Sequence, residues 1–105
     1  MKKKKCFLDK PPAFDFKNGD DIKYEIVWKK PAKRYNAHGI CDEPAAKNPQ
    51  IWVDPKSKEK KLLSVIIEEL YHAFAFEKNE KTARGFASTV KKLLYKLGWK
   101  RIDTT

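Results

Sequence analysis

Apolar residues recur along this chain with two different periods. From Ile22 to Trp28 they alternate: Ile22, Tyr24, Ile26 and Trp28 share one side, Lys23 and Glu25 the other, and Val27 is the exception. A period of two predicts a half-buried strand. The piece Lys33–Cys41, with Tyr35, Ala37 and Gly39, predicts a second strand, and Gln50–Val53, bounded by Pro49 and Pro55, a third. Asp42 to Pro49 between them reads as a loop.

Beyond Pro55 the period lengthens to between three and four. Asp54 offers an acceptor at an N-cap and Pro55 suits the first helical position, so a helix is predicted from there to about Phe76. Its expected core face is Leu62, Leu63, Ile66, Ile67, Leu70, Ala73 and Phe74. A second helix is predicted from the cap Asn79, through Ala83, Phe86, Val90, Leu93, Leu94 and Leu97, to Gly98, with Trp99 and Ile102 folding back on the body. The expected fold is α+β, a three-stranded antiparallel sheet packed against two helices. Residues 1–20 are expected to form a basic, loosely ordered arm with Phe14 and Phe16 docked on the body, and residues 21–102 a single domain.

A chain of 105 residues supports one modest core, and 41% hydrophobic with 12% aromatic content suits a folded protein. After Lys2–Lys5, Cys6, Phe7 and Leu8 run straight into Asp9, Lys10, Pro11 and Pro12, so no signal-peptide core forms. No stretch approaches the roughly 20 apolar residues of a membrane span. Cys6 and Cys41 are too few for a zinc knuckle. These features predict a cytoplasmic protein with reduced thiols and no membrane partner.

Charge changes the picture more than composition does. The net +10 is uneven: residues 6–77 balance, whereas residues 78–101 set eight basic side chains against Glu80 alone. One reading is a solvated helix face. The other is contact with nucleic acid or an acidic host protein through Lys91, Lys92, Lys96, Lys100 and Arg101 together with the lysine arm. Tyr35, Trp52 and Trp99 would add stacking for single strands, unless their rings serve the core.

The candidate chemistry lies inside the long apolar stretch. Glu68-Glu69-Leu70-Tyr71-His72 differs by one residue from His-Glu-x-x-His, in which two histidines a helical turn apart bind zinc and the glutamate acts as general base. Glu68 replaces the first histidine. A carboxylate also ligates metal, so Glu68 and His72 at i and i+4 can supply two ligands with Glu69 beside them as base. The bland reading is the wet face of an amphipathic helix. Yet at about 100° per residue the arc from Glu68 through His72 to Glu69 also holds Val65 and Phe76, which points to a polar pocket with apolar walls. Glu80, in the first turn of the next helix, is the leading third ligand, though a carboxylate there also suits the helix dipole. His38 and Cys41 are the other candidates within reach. An oxygen-rich set of Glu68, His72 and Glu80 would accept manganese or iron as well as zinc. Two outcomes stay open: an altered site that hydrolyses at reduced efficiency, or a site that holds no metal in a protein that serves binding alone.

The order of parts is a small sheet with Gly39 to Asp42, a short strand, the Glu68–His72 helix, and a basic helix closing on Leu93-Leu94-Tyr95-Lys96-Leu97-Gly98-Trp99. It resembles the short phage-encoded and prophage-encoded metallopeptidases, minimal zincins of the gluzincin type. The likeness runs from about Tyr35 to Trp99 and is most specific at Ile67 to Ala73 and at Leu93 to Trp99. The resemblance implies His72 as a zinc ligand, Glu69 as catalytic base, Glu80 as third ligand, a protein or peptide substrate, and the host cytoplasm as the place of action. Glu68 departs from the family pattern. The expectations are therefore a metallopeptidase-related protein, either a weak hydrolase or a pseudoenzyme, and alternatively a small basic binding protein.

Overall fold

The computed structural model describes residues 11–32 and 38–99. Strands β1 (Asp15–Lys17), β2 (Lys23–Val27), β3 (Gly39–Cys41) and β4 (Gln50–Val53) are followed by helices α1 (Glu59–Phe74) and α2 (Glu80–Lys96). The α+β class agrees with the periodicities. The sheet does not: it has four strands in the order β1-β2-β4-β3, and β4 runs parallel to β2. The expectation of a three-stranded antiparallel sheet is corrected on both counts.

The parallel pair has a packing reason. Ile51 and Val53 of β4 are almost fully buried, so β4 takes the interior of the sheet, where neighbours on both sides satisfy its backbone groups. β3 sits outside it as an antiparallel edge strand, pairing Ile40 with Trp52. The path from β2 to β3 thus skips a position that β4 returns to fill. In β2 the alternation holds, with Tyr24 and Ile26 buried and Lys23 and Glu25 exposed.

The added strand comes from the segment expected to be a loose arm. β1 pairs with β2 through a hairpin at Asn18–Asp21, and Phe16 stacks on Tyr24 at 5.5 Å and on Phe74 at 5.9 Å between ring centroids. Asn18 organises the turn. Its Oδ1 accepts from the amides of Asp20 and Ile22 at 2.8 and 3.0 Å, and its Nδ2 donates to the Ala73 carbonyl at 3.0 Å. That carbonyl lies in the last turn of α1, where no intrahelical donor remains.

Helix α1 begins four residues later than the Asp54-Pro55 signal implies. The Asp54 amide still donates to the His38 carbonyl across the sheet at 2.8 Å, and its Oδ1 accepts from Lys56 to close a turn. Lys58 then caps the helix without a side-chain bond. The core face is rotated too: Leu62, Val65, Glu69 and Ala73 are buried, whereas Phe74 is exposed. Ile66 and Leu70 flank the core.

Helix α2 follows its signals closely. Asn79 Oδ1 accepts from the Thr82 amide at 2.9 Å. At the other end Gly98 adopts φ +97°, with Gly98 N–H bonded to Tyr95 and Trp99 N–H to Leu94, a Schellman closure. Its contact with α1 uses Ala83 and Ala87, while Phe86, Leu93 and Leu97, expected in the core, are exposed, as is Trp99. Among the described residues no helix is long and apolar enough to cross a membrane.

Replacing Asn18 by alanine deletes the bond to Ala73 and both acceptor bonds of the turn. A loss of roughly 1–3 kcal/mol is expected, seen as a lower urea midpoint with an unchanged m value. An unaltered midpoint would show that the hairpin is not anchored through this side chain.

Candidate metal centre

Two helices meet over one end of the sheet edge. Glu68 and His72 lie one turn apart on α1, and the turn at Ala75–Lys78 brings the first residue of α2, Glu80, back beside them. His72 Nε2 lies 3.1 Å from Glu80 Oε1. One ligand atom from each of Glu68, His72 and Glu80 falls within 4.8 Å of the others. Metal–ligand bonds of about 2.0–2.2 Å require somewhat shorter separations, which rotamer adjustments of two glutamates supply. Arg84, one turn on from Glu80, places its Nε 3.9 Å from Glu80 Oε2.

Glu69 belongs to the same cluster, about 100° further round α1 than Glu68. It occupies a core position, only 6% exposed, and accepts no hydrogen bond from a described residue. A groove of about 360 Å³ opens in front of it, lined by Gly39, Ile40 and Cys41 of β3 and by His72, Phe76, Lys78 and Glu80. Gly39 lets the strand lie this close: a Cβ there would stand 2.5 Å from Val65 Cγ1 and 3.1 Å from Glu69 Cγ. His38 and Asp42 bond to Asp54 and Gln50 of the neighbouring strand, so the alternate residues Gly39 and Cys41 turn their amides away from β4.

The carboxyls of this cluster are far from ordinary. Burial pushes Glu69 up to about 8, reinforced by the charges of Glu68 and Glu80. Glu68 is pushed up to about 7 by burial and then by its hydrogen bond to Glu80 and that group's charge. Glu80 is held low by the same hydrogen bond, against some burial, with help from His72 and Arg84. Glu69, Glu80 and His72 thus line one groove, and Glu68, hydrogen-bonded to Glu80, lies beside them. Such a set fits a divalent cation: a buried acid without a partner, a carboxylate pair pressed together, and an imidazole aimed at them.

The other sequence candidates fall outside the ligand set. His38 Nδ1 pairs with Ser57 Oγ at 3.2 Å. Cys41 lines the groove, but burial and then the charge of Glu69 push its thiol up to about 12, and Sγ donates to the Asp42 carbonyl. Of the basic residues, Lys91 is half-buried on α2, Lys92 and Lys96 are exposed, and Lys100 and Arg101 lie outside the described residues, as do Tyr35 and the lysine arm. Sequence reasoning counted Lys78 only within the basic segment and placed Cys41 within reach, but it did not identify β3 as a wall of the groove; a glycine two residues before Cys41 was the available signal for that close approach. Compared with protein-family models, curated proteins and solved structures, the chain has no match.

With its carboxyl pushed up to about 8 from an ordinary value of 4.5, Glu69 binds its proton more tightly in the folded chain than in the unfolded one. The folded state therefore holds the extra proton between those two values, and this group's contribution to stability falls as pH rises through that window. Glu68 acts in the same direction and Glu80 in the opposite one. Metal-free protein is expected to lose urea resistance from about pH 5 to about pH 8.5, and Glu69→Gln to remove most of that slope. An undiminished slope in the variant would mean that Glu69 is not the buried acid responsible.

Proposed function

We propose that this chain is a zincin-related, metal-dependent hydrolase with an altered ligand set, in which Glu68, His72 and Glu80 hold one divalent ion and Glu69 is the general base. The carrying observation is the convergence of the three ligand atoms within 4.8 Å beside a buried carboxyl that lacks a hydrogen-bond partner among the described residues. The ion, when bound, supplies Lewis-acid polarisation of water and substrate. The chain's own residues set the rest. Once the charges of Glu68 and Glu80 are compensated, their share of the push on Glu69 falls away, while the larger share, from burial, stays and keeps it a strong proton acceptor when ionised. Glu69 then takes a proton from water in the groove and returns it to the leaving group. His72 and Glu80 orient each other across the mouth.

Two carboxylates in place of one neutralise a divalent ion more fully than the usual pair of histidines with one carboxylate. The consequence is a weaker Lewis acid and a broader choice of metal, with manganese and iron beside zinc. One contact favours a second reading, a pseudoenzyme that holds no metal: Glu68, its carboxyl pushed up to about 7, hydrogen-bonds to Glu80, so the two carboxyls can satisfy each other without an ion.

Metal titration separates the two. Chelator-treated protein is expected to take up one zinc or manganese ion per chain, and at a hundredfold excess over Kd to gain about 2.7 kcal/mol, a rise in Tm on the order of 10 °C. His72→Ala is expected to abolish both stoichiometry and shift. Metal bound only after Glu68→His, and not by the native chain, would sink the hydrolase reading and mark a site that has lost its ion.

A further inference from the structure

Beside the groove, the seam between the two helices carries basic side chains. On α1, Lys61, Glu68 and His72 fall within an arc of about 40° at roughly 100° per residue, and on α2, Glu80, Lys91 and Arg84 do the same. Contacts fix the orientation of both arcs. His72 and Glu80 touch across the seam, and Lys61 and Arg84 both act electrostatically on Glu68. Helix α2 packs on α1, whereas the sheet reaches α1 through β3 and β4. The exposed strip of α1 between them is therefore the floor of a furrow. Seven residues along each helix, about 10 Å at 1.5 Å per residue, carry it from Glu68 to Lys61 and from Arg84 to Lys91. Lys78 stands at the opposite end, in the wall of the groove.

In the metal-free chain Lys61 and Arg84 act on Glu68, and Arg84 on Glu80 as well. A divalent ion would take over the charges of Glu68 and Glu80, leaving Lys61, Lys78, Arg84 and Lys91 in surplus around it. Lys61, Lys78 and Lys91 have no ion-pair partner among the described residues. A linear array of cations on both sides of the centre matches a ligand with negative charge repeated along its length, rather than one terminal carboxylate. Phe76, 40% exposed in the groove wall, adds a ring face on which a base can stack. A base reaches that ring face only when it is unpaired, so the ligand is a single strand rather than a duplex.

We infer that the metal centre and its basic furrow bind single-stranded nucleic acid, with backbone phosphates along Lys61, Arg84 and Lys91, a phosphate near the ion at Lys78, and a base against Phe76. This rests on the metal reading above and specifies the ligand class for that site.

The test is fluorescence anisotropy of a labelled oligothymidylate with the full chain, metal-free and manganese-loaded, across a salt series, with metal content measured in parallel. Loading is expected to tighten binding at least about tenfold, or about 1.4 kcal/mol. The Lys61→Ala/Lys91→Ala variant is expected to keep its metal while the slope of log affinity against log salt shrinks by about 1.4, two phosphate contacts at roughly 0.7 each for single strands. Phe76→Leu is expected to weaken binding at constant slope. Bound metal with oligonucleotide affinity indifferent to loading and to the double variant would overturn this inference and leave the metal reading standing. Tighter binding of polyglutamate than of the oligonucleotide would overturn it in favour of an acidic polypeptide. Failure to bind metal would remove both.

Discussion

Glu69 sits where the packing of α1 on the sheet calls for an apolar side chain. Leu62, Val65 and Ala73 share its face, and Gly39 of β3 lies so close that there is no room for even a methyl group between strand and helix. A carboxyl in this position loses most of its hydration, and without a partner that loss costs several kcal/mol in the charged form. The chain meets the cost by holding the proton, and the neighbouring carboxylates strengthen that hold. Much of the site follows from this constraint. The strand edge must be slim at Gly39, the cavity in front of Glu69 must stay open, and compensating charge must lie within reach. A core position that breaks the hydrophobic pattern without local compensation is expected at functional sites, where stability is given up for chemistry.

The same constraint explains what the sequence made legible. Glu68, Glu69 and His72 were recognisable because their spacing on a helix fixes their relative directions whatever the surrounding fold does. Glu80 was legible for a similar reason, since the short link from His72 and the Asn79 cap together determine where α2 begins. What pattern could not reveal was the face of α1 that packs. Leu63, Ile66, Ile67, Leu70 and Phe74 form a more hydrophobic stripe than the one that is buried, and only the arrival of β3 at Gly39 turns Val65 and Glu69 inward.

The sheet was misread for a different reason. Strand β1 has three residues, too few for a period of two to register, and its stability comes from Phe16 stacking on Tyr24 and Phe74 and from Asn18 reaching Ala73, all distant in sequence. The parallel pairing of β2 with β4 is likewise non-local. It reflects the competition among strands for the interior of the sheet, which Ile51 and Val53 win through burial. Asp54 misled for a third reason: its capping chemistry is used, but for a turn, because its own amide is engaged in the ladder with His38.

Small residues on α2 tie its packing to the candidate metal centre. Ala83 and Ala87 are fully covered where the two helices cross, so α2 lies close against α1, and that closeness carries Glu80 to His72. Phe86 rests its ring against that of Tyr71 on α1 at 4.9 Å yet stays half exposed, and Leu93 and Leu97 lie toward solvent, although burying all three fully would have stabilised the pair more. Had they filled the seam, the helices would stand further apart, and a glutamate at the first position of α2 would no longer reach a histidine on the last turn of α1. The seam is therefore built for proximity at the expense of buried area. Its edge carries Arg84 and Lys91 on one side and Lys61 on the other, so the packing that brings Glu68, His72 and Glu80 together also lines up the charges beside them.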